Sequence, residues 1–249
     1  MEIKVAKFGG TSLADAVQIA KVKKIIEADP ARRYIVPSAP GKSDRYQIKV
    51  TDLLYGLESA IEQGEDYRPF YDKIFARFTD IKRDLGLSVN IEARLEEILA
   101  NLLDGAGADY AASRGEYLNG MLIADYLGYA FVDAAEVILF DKRGKYDEKR
   151  TEKVLSERLR GLERAVIPGF YGSMPNGSIK TFSRGGSDVT GAIVSAAVRA
   201  DLYENWTDVD GMLVTDPRIV PQAAPLHAIT YRELRELAYR GASVLHEDS

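Results

Sequence analysis

The 249-residue sequence contains no cysteine. That absence excludes disulfide bridges, thiolate zinc sites and cysteine nucleophiles, and it fits a reducing compartment. Only two histidines occur, His227 and His246. They are far apart, lack partners at metal-ligand spacing, and read as structural. No Ser-His-Asp arrangement is visible. The longest apolar run, around Gly191 to Val198, falls well short of the roughly 20 residues needed to cross a bilayer. Met1 to Val5 lacks the basic start and unbroken apolar core of a signal peptide, so a cytoplasmic location with no membrane partner is expected. Positive charge is not in excess either. The formal net charge of −5 argues against a nucleic-acid partner, which would call for a basic face.

What is present is a pair of glycine turns. Lys7-Phe8-Gly9-Gly10-Thr11-Ser12 follows an apolar stretch and precedes a helical segment, and Ser183-Arg184-Gly185-Gly186-Ser187-Asp188 repeats the arrangement far downstream. A glycine pair lets backbone amides approach an anion that a Cβ would keep away. A helix starting just beyond adds free N–H groups and the positive end of its dipole. Two such turns suggest a nucleotide's phosphates clasped from two sides. The Walker pattern is absent, because no Lys-Ser or Lys-Thr follows the glycines at its spacing.

Along the chain, Ile3 to Phe8 reads as a buried strand and Asp15 to Glu27 as a helix with Val17, Ala20, Ile25 and Ile26 inward. Tyr34 to Val36 reads as a second strand. This β-α-β order predicts a parallel sheet. Residues 51–103 carry almost no strand signal and predict three helices, punctuated by Gly64 and Gly86, covering one edge of the sheet. A helix over Glu116 to Leu127 follows, with Leu118, Leu122 and Ile123 inward. Strands are expected at Tyr129 to Val132, Ala165 to Phe170, Ile179 to Phe182 and Leu202 to Trp206. Helices are expected at Thr151 to Leu162, Val189 to Arg199 and Thr230 to Arg240.

Several residues carry candidate chemistry. Lys7 ends a buried strand, where a lone ammonium is costly. It either contacts phosphate oxygens or is a solvated strand-end lysine. Arg184 offers a fork for a carboxylate or phosphate. Asp188 is placed to cap the following helix, to hold Lys7, or to help bind Mg²⁺. Thr207-Asp208-Val209-Asp210-Gly211 and Thr215-Asp216-Pro217-Arg218 combine turn chemistry with a position at a strand's carboxyl end, where open α/β sheets bind ligands. Glu116 either favours a helix dipole or pairs with a substrate ammonium. The scarcity of bases fits a carboxylate as phosphoryl acceptor, already ionised at neutral pH with a pKa of about 4.

Together, Lys7 to Ser12, Arg184 to Asp188, Thr207 to Gly211 and Thr215 to Arg218 closely resemble the aspartokinases of the amino acid kinase family, and the resemblance extends to Ala242-Ser243-Val244-Leu245-His246. It implies an α/β fold, a three-layer α/β/α sandwich around a mainly parallel sheet. It also implies ATP-dependent phosphorylation of the L-aspartate side chain, with ATP and Mg²⁺ as cofactors and the metal carried mainly by the nucleotide. By motif, Lys7 and Asp188 would be catalytic, and Ser38, Thr51, Glu116 and Arg184 would bind aspartate. Lys7, Gly9, Gly10, Ser12, Gly185, Gly186, Ser187, Thr207, Asp208, Asp210 and Arg218 would bind nucleotide. About 1–165 would form the amino-acid lobe and about 166–249 the nucleotide lobe, and relatives suggest a homodimer. Leu213 and Ser243 depart from a tyrosine and a lysine frequent in the family on the adenine side. The paired ACT domains typical of members are absent from this sequence, which is therefore expected to be a catalytic domain. Alternatives are a sibling kinase acting on acetylglutamate, glutamate, carbamate or UMP, and a catalytically silent sensor of ATP or an amino acid.

Overall fold

The structure, a computed structural model, describes residues 2–182, 185–207 and 230. The helix expected at Thr230 to Arg240 lies outside the described residues, save for Thr230. Strand β1 (Lys4–Phe8) buries Val5 toward one face and Ala6 and Phe8 toward the other. Burial on both faces is what a parallel sheet with helices on each side demands. Helix α1 (Ala16–Glu27) starts at Asp15, whose side chain accepts from the Gln18 amide at 3.1 Å, and returns the chain to β2 (Arg32–Pro37), parallel to β1. Its inward face carries Ile19, Val22 and Ile26, an i, i+3, i+7 stripe. The face expected through Val17 is displaced, and Val17 is 66% exposed.

Helices α2 (Val50–Gln63), α3 (Arg68–Leu85) and α4 (Ile91–Leu103) match the expected excursion. Gly64 and Gly86 close α2 and α3 in the left-handed conformation. They do not cover a sheet edge. They pack on one another, on α1 and on α5 (Gly107–Leu127), and so thicken one face. Helix α5 begins well before Glu116, so Arg114-Gly115-Glu116 lies within it rather than opening it. The dipole explanation for Glu116 falls with that, because the effect is confined to the first turn.

The chain continues through β3 (Ala130–Phe131), α6 (Ala134–Val137), α7 (Glu148–Arg160) and β4 (Ala165–Val166). Strands β5 (Tyr171–Ser173) and β6 (Ile179–Thr181) then pair antiparallel as a separate hairpin. The strand expected over Ala165 to Phe170 thus ends early, and Ile179 to Phe182 does not join the main sheet. Helix α8 (Gly186–Val198) leads to β7 (Leu202–Trp206). The main sheet is parallel throughout, in the order β3-β4-β2-β1-β7. Helices α1 to α5 cover the face bearing Ala6, Phe8, Ile35 and Val166, and α6 to α8 cover the face bearing Val5, Tyr34, Val36 and Ala165. The result is a three-layer sandwich in which β1 lies between β2 and β7, so their carboxyl ends and following loops converge. Open α/β sheets bind ligands at that end.

Candidate active site

Lys7 is in register with Val36 on one side and Asn205 on the other, and only 8% of it is exposed. Its Nζ lies 2.7 Å from Asp188 Oδ1. A solvated strand-end lysine is thereby excluded. Asp188 sits in the first turn of α8, whose N-cap is Gly185. Its carboxylate does not cap the helix; it engages Lys7 and accepts from Asn205 Nδ2 at 3.2 Å. Two turns more than 170 residues apart by number are thus joined by one ion pair.

The amide of Gly9 donates to the Trp206 carbonyl at 2.9 Å, extending the β1–β7 ladder by one residue. It is therefore not turned toward a ligand, contrary to the expectation for that residue. Among the described residues, the amides of Gly10, Thr11 and Ser12 donate no backbone hydrogen bond. They are the available donors of this turn. Gly10 also touches the loop after β2: its carbonyl accepts from the Gly41 amide at 2.7 Å, and a Cβ on Gly10 would lie 2.8 Å from the Ala39 oxygen. Only glycine fits there. Thr207 lies beside Gly9. On the second turn, the Gly185 carbonyl accepts from the Asp188 amide at 2.8 Å, while Gly186 packs between Phe170 and Phe182 and Ser187 packs on Gly169.

The loop of residues 38–41 gathers the remaining candidates. The Ser38 amide donates to the Phe8 carbonyl at 3.1 Å. Thr51 stands in the first turn of α2, where the Val50 amide donates to the Pro40 carbonyl at 3.2 Å. Glu116 is buried, its carboxyl group set against the Ala39 amide, and its Oε2 has no hydrogen-bond partner. Burial pushes this carboxyl up to about 8, opposed in part by the Ala39 amide, its own amide and the Arg114 charge. Burial of a carboxyl oxygen without a hydrogen-bond partner is costly and favours its neutral form.

Ser12 also faces a second concavity, together with Thr11. It lines a groove of about 710 Å³ with Asp15, Lys42, Arg45 and Asp84, and neither Lys7 nor Asp188 borders that groove. Arg184, Asp208, Asp210, Leu213, Arg218, His227, Ser243 and His246 lie outside the described residues. Two asparagines were not among the expected site residues. Asn205 holds Asp188, and its Oδ1 is buried without a partner; Asn119 donates from Nδ2 to the Ser38 carbonyl at 2.7 Å, and its Oδ1 is likewise unpartnered. The signal for Asn119 was available, since it follows Glu116 by three residues and shares its helix face.

Comparison with known proteins bears on the family and the fold. Residues 2–249 match the amino acid kinase family profile. Aspartokinase 3 of Bacillus subtilis is 37% identical over 262 residues, covering 99% of this chain and 58% of that protein. The crystal structure of Clostridium acetobutylicum aspartate kinase superposes with a TM-score of 0.93 at 52% identity, covering 100% of this chain and 56% of that one. Escherichia coli aspartokinase III, solved in complex with aspartate and ADP, gives 0.84 at 30% identity, covering 99% and 58%. The chain spans a little more than half the length of these relatives. With a profile match across almost its whole length and a sandwich fold shared with solved kinases, the chain belongs to the amino acid kinase family.

Proposed function

We propose that the chain transfers the γ-phosphoryl group of ATP to the side-chain carboxylate of L-aspartate, giving 4-phospho-L-aspartate. One observation carries the reading: the Lys7–Asp188 ion pair joins two glycine turns, and the first of them touches, at Gly10, the Ala39 loop against which the buried Glu116 is set. The aspartate and ADP held by the Escherichia coli relative support the same substrates here.

In this reading Lys7 neutralises charge on the transferred phosphoryl group, and Asp188 and Asn205 keep its ammonium in place. The free amides of Gly10 and Thr11 face phosphate, with Gly185, Gly186, Ser187 and Thr207 on the opposite side of the nucleotide. Glu116 pairs with the substrate ammonium and Arg184 with its α-carboxylate, while Ser38 and Thr51 border the acceptor. No general base is needed, because the acceptor is already an anion. Catalysis is then alignment plus charge neutralisation. Among the described residues, no group of three or more His, Cys, Asp or Glu could hold a metal ion. Mg²⁺ would be carried mainly on the nucleotide phosphates, where it would offset their charge. Residues 1–165 would serve mainly the amino acid and 166–249 the nucleotide. Among the described residues no helix is long and apolar enough to cross a membrane; we place the enzyme in the cytoplasm, as a homodimer.

The test is hydroxamate trapping of acyl phosphate with ATP, Mg²⁺ and a panel of aspartate, glutamate and acetylglutamate. Product with aspartate alone is expected. Product with another acid instead would reassign the substrate, and nucleotide binding without any product would make the chain a sensor.

A further inference from the structure

Helix α3 turns Ile74, Arg77, Phe78 and Ile81 into the core, and Arg77 is only 1% exposed. An arginine on an apolar stripe is expensive unless its donors are met. Among the described residues no carboxylate bonds it, and its Nε is buried without a partner. Its Nη2 donates to two backbone carbonyls, Ala14 at 2.6 Å and Gly41 at 2.5 Å. The Tyr46 ring lies over the guanidinium at 3.9 Å, and the Tyr46 hydroxyl is held by Asp80, also on α3, at 2.7 Å. Burial lowers the guanidinium to about 10, which leaves it charged at neutral pH.

The two carbonyls belong to different loops. Ala14 closes the 3-10 turn Thr11–Leu13 that follows Gly9-Gly10. Gly41 lies in the loop that leaves β2 at Ser38, and it touches Gly10. A methionine or leucine would fill the stripe of α3 at lower cost, but would leave the Gly41 amide–Gly10 carbonyl bond as the tie between the two loops; the buried guanidinium adds a second one. We propose that Arg77 is a positioning residue that fixes the spacing between the phosphate-side turn and the amino-acid-side loop, so that one side chain governs the alignment of both substrates. This rests on the kinase reading above. Alignment of this kind is sensitive, since a displacement of about 1 Å can cost on the order of a hundredfold in rate.

The experiment uses Arg77→Met, which fills the stripe and donates nothing, and Arg77→Lys, which keeps a donor. Hydrogen–deuterium exchange is measured on the 249-residue chain alongside steady-state kinetics. Segments 9–14 and 38–41 should lose protection together in Arg77→Met, while α4 and α5 stay at wild-type levels. The KM values for ATP and for aspartate should rise together, each by about tenfold, with partial return in Arg77→Lys. Loss of protection in one loop only, or in neither, overturns the proposal, as do unchanged KM values in a folded variant. Should Arg77→Met fail to fold, the same two loops are read in Arg77→Lys. The exchange readout does not need activity, so a wild-type chain that phosphorylates nothing would remove the kinase reading while the loop coupling is still judged.

Discussion

Burial raises the Glu116 carboxyl to about 8 from an ordinary value of 4.5, so at neutral pH without a cationic partner it is largely protonated. The folded chain therefore holds a proton between those two pH values that the unfolded chain releases. Stability from this group is fully present below about 4.5 and is lost as pH rises through about 8. Relative to Glu116→Gln, the wild-type melting temperature should fall by on the order of 5 °C between pH 5 and pH 8. Parallel curves in scanning fluorimetry would show that the proton is not held. The same substitution should raise the aspartate KM by roughly ten- to a hundredfold, the worth of a charge-assisted hydrogen bond, with ATP KM unchanged. Lys7 answers to a different readout. Lys7→Met should retain its helical circular dichroism yet lose about 10²- to 10³-fold in kcat; near-normal turnover would remove the lysine from the chemistry. Both residues were legible in the sequence as a strand-end ammonium and a Gly-Glu pair. Asp188 as the holder of Lys7 was one of three readings open for that residue, whereas the Ala39 amide beside Glu116 was not foreseen, because it comes close only through tertiary packing.

Among the elements, helix α5 shows where local reading fails. The helix expected from Glu116 starts at Gly107, so Gly115 lies mid-helix, where a Cβ would come 2.8 Å from the Ala39 Cβ and 3.3 Å from Leu54 Cδ1. The glycine marks a close approach, and propensity alone cannot distinguish that from a stop. The β1-α1-β2 unit was legible because its apolar pattern and its stop at Asp29-Pro30 agree. Strand β6 was legible as a strand, but its hairpin with β5 was not, because so short a segment carries no information about its partner. Arg77 carried a signal that periodicity could have raised, a charge three residues after Ile74 and four before Ile81 on an apolar stripe. The glycine contact also makes a prediction. Gly115→Ala gains about 1 kcal/mol of helix propensity but overpacks a contact at a cost of about 1–3 kcal/mol. The residue that yields is Ala39, so the loop bearing Ser38 should shift. The expected outcome is a melting temperature within a few degrees of wild type and an aspartate KM several-fold higher; an unchanged KM would mean that the loop absorbs the methyl elsewhere.

On the scale of the whole molecule, the sheet is closed by strands from opposite ends of the described chain. Strand β7 lies against β1, and Arg32 on β2 reaches Glu204 on β7 through Nε at 2.7 Å and Nη2 at 3.2 Å, with side-chain exposures of 14% and 13%. Its Nη1 donates to the Ile25 carbonyl on α1, and Trp206 Nε1 donates to the same Glu204 carboxylate at 2.8 Å. Trp206, the single tryptophan of the sequence, stacks on Phe8 with ring centroids 6.0 Å apart. Its fluorescence therefore reports the β1–β7 seam, whereas circular dichroism is dominated by helices α1 to α5. If the amino-acid and nucleotide halves share one sheet as a cooperative unit, both signals should be lost at the same urea concentration. Arg32→Met leaves Glu204 largely buried without its cation, which should lower stability by about 3 kcal/mol. Both midpoints should move down together. Fluorescence lost well before helicity, in wild type or variant, would mean that β7 detaches while the helical layers stand. The sheet would then be two cooperative units rather than one.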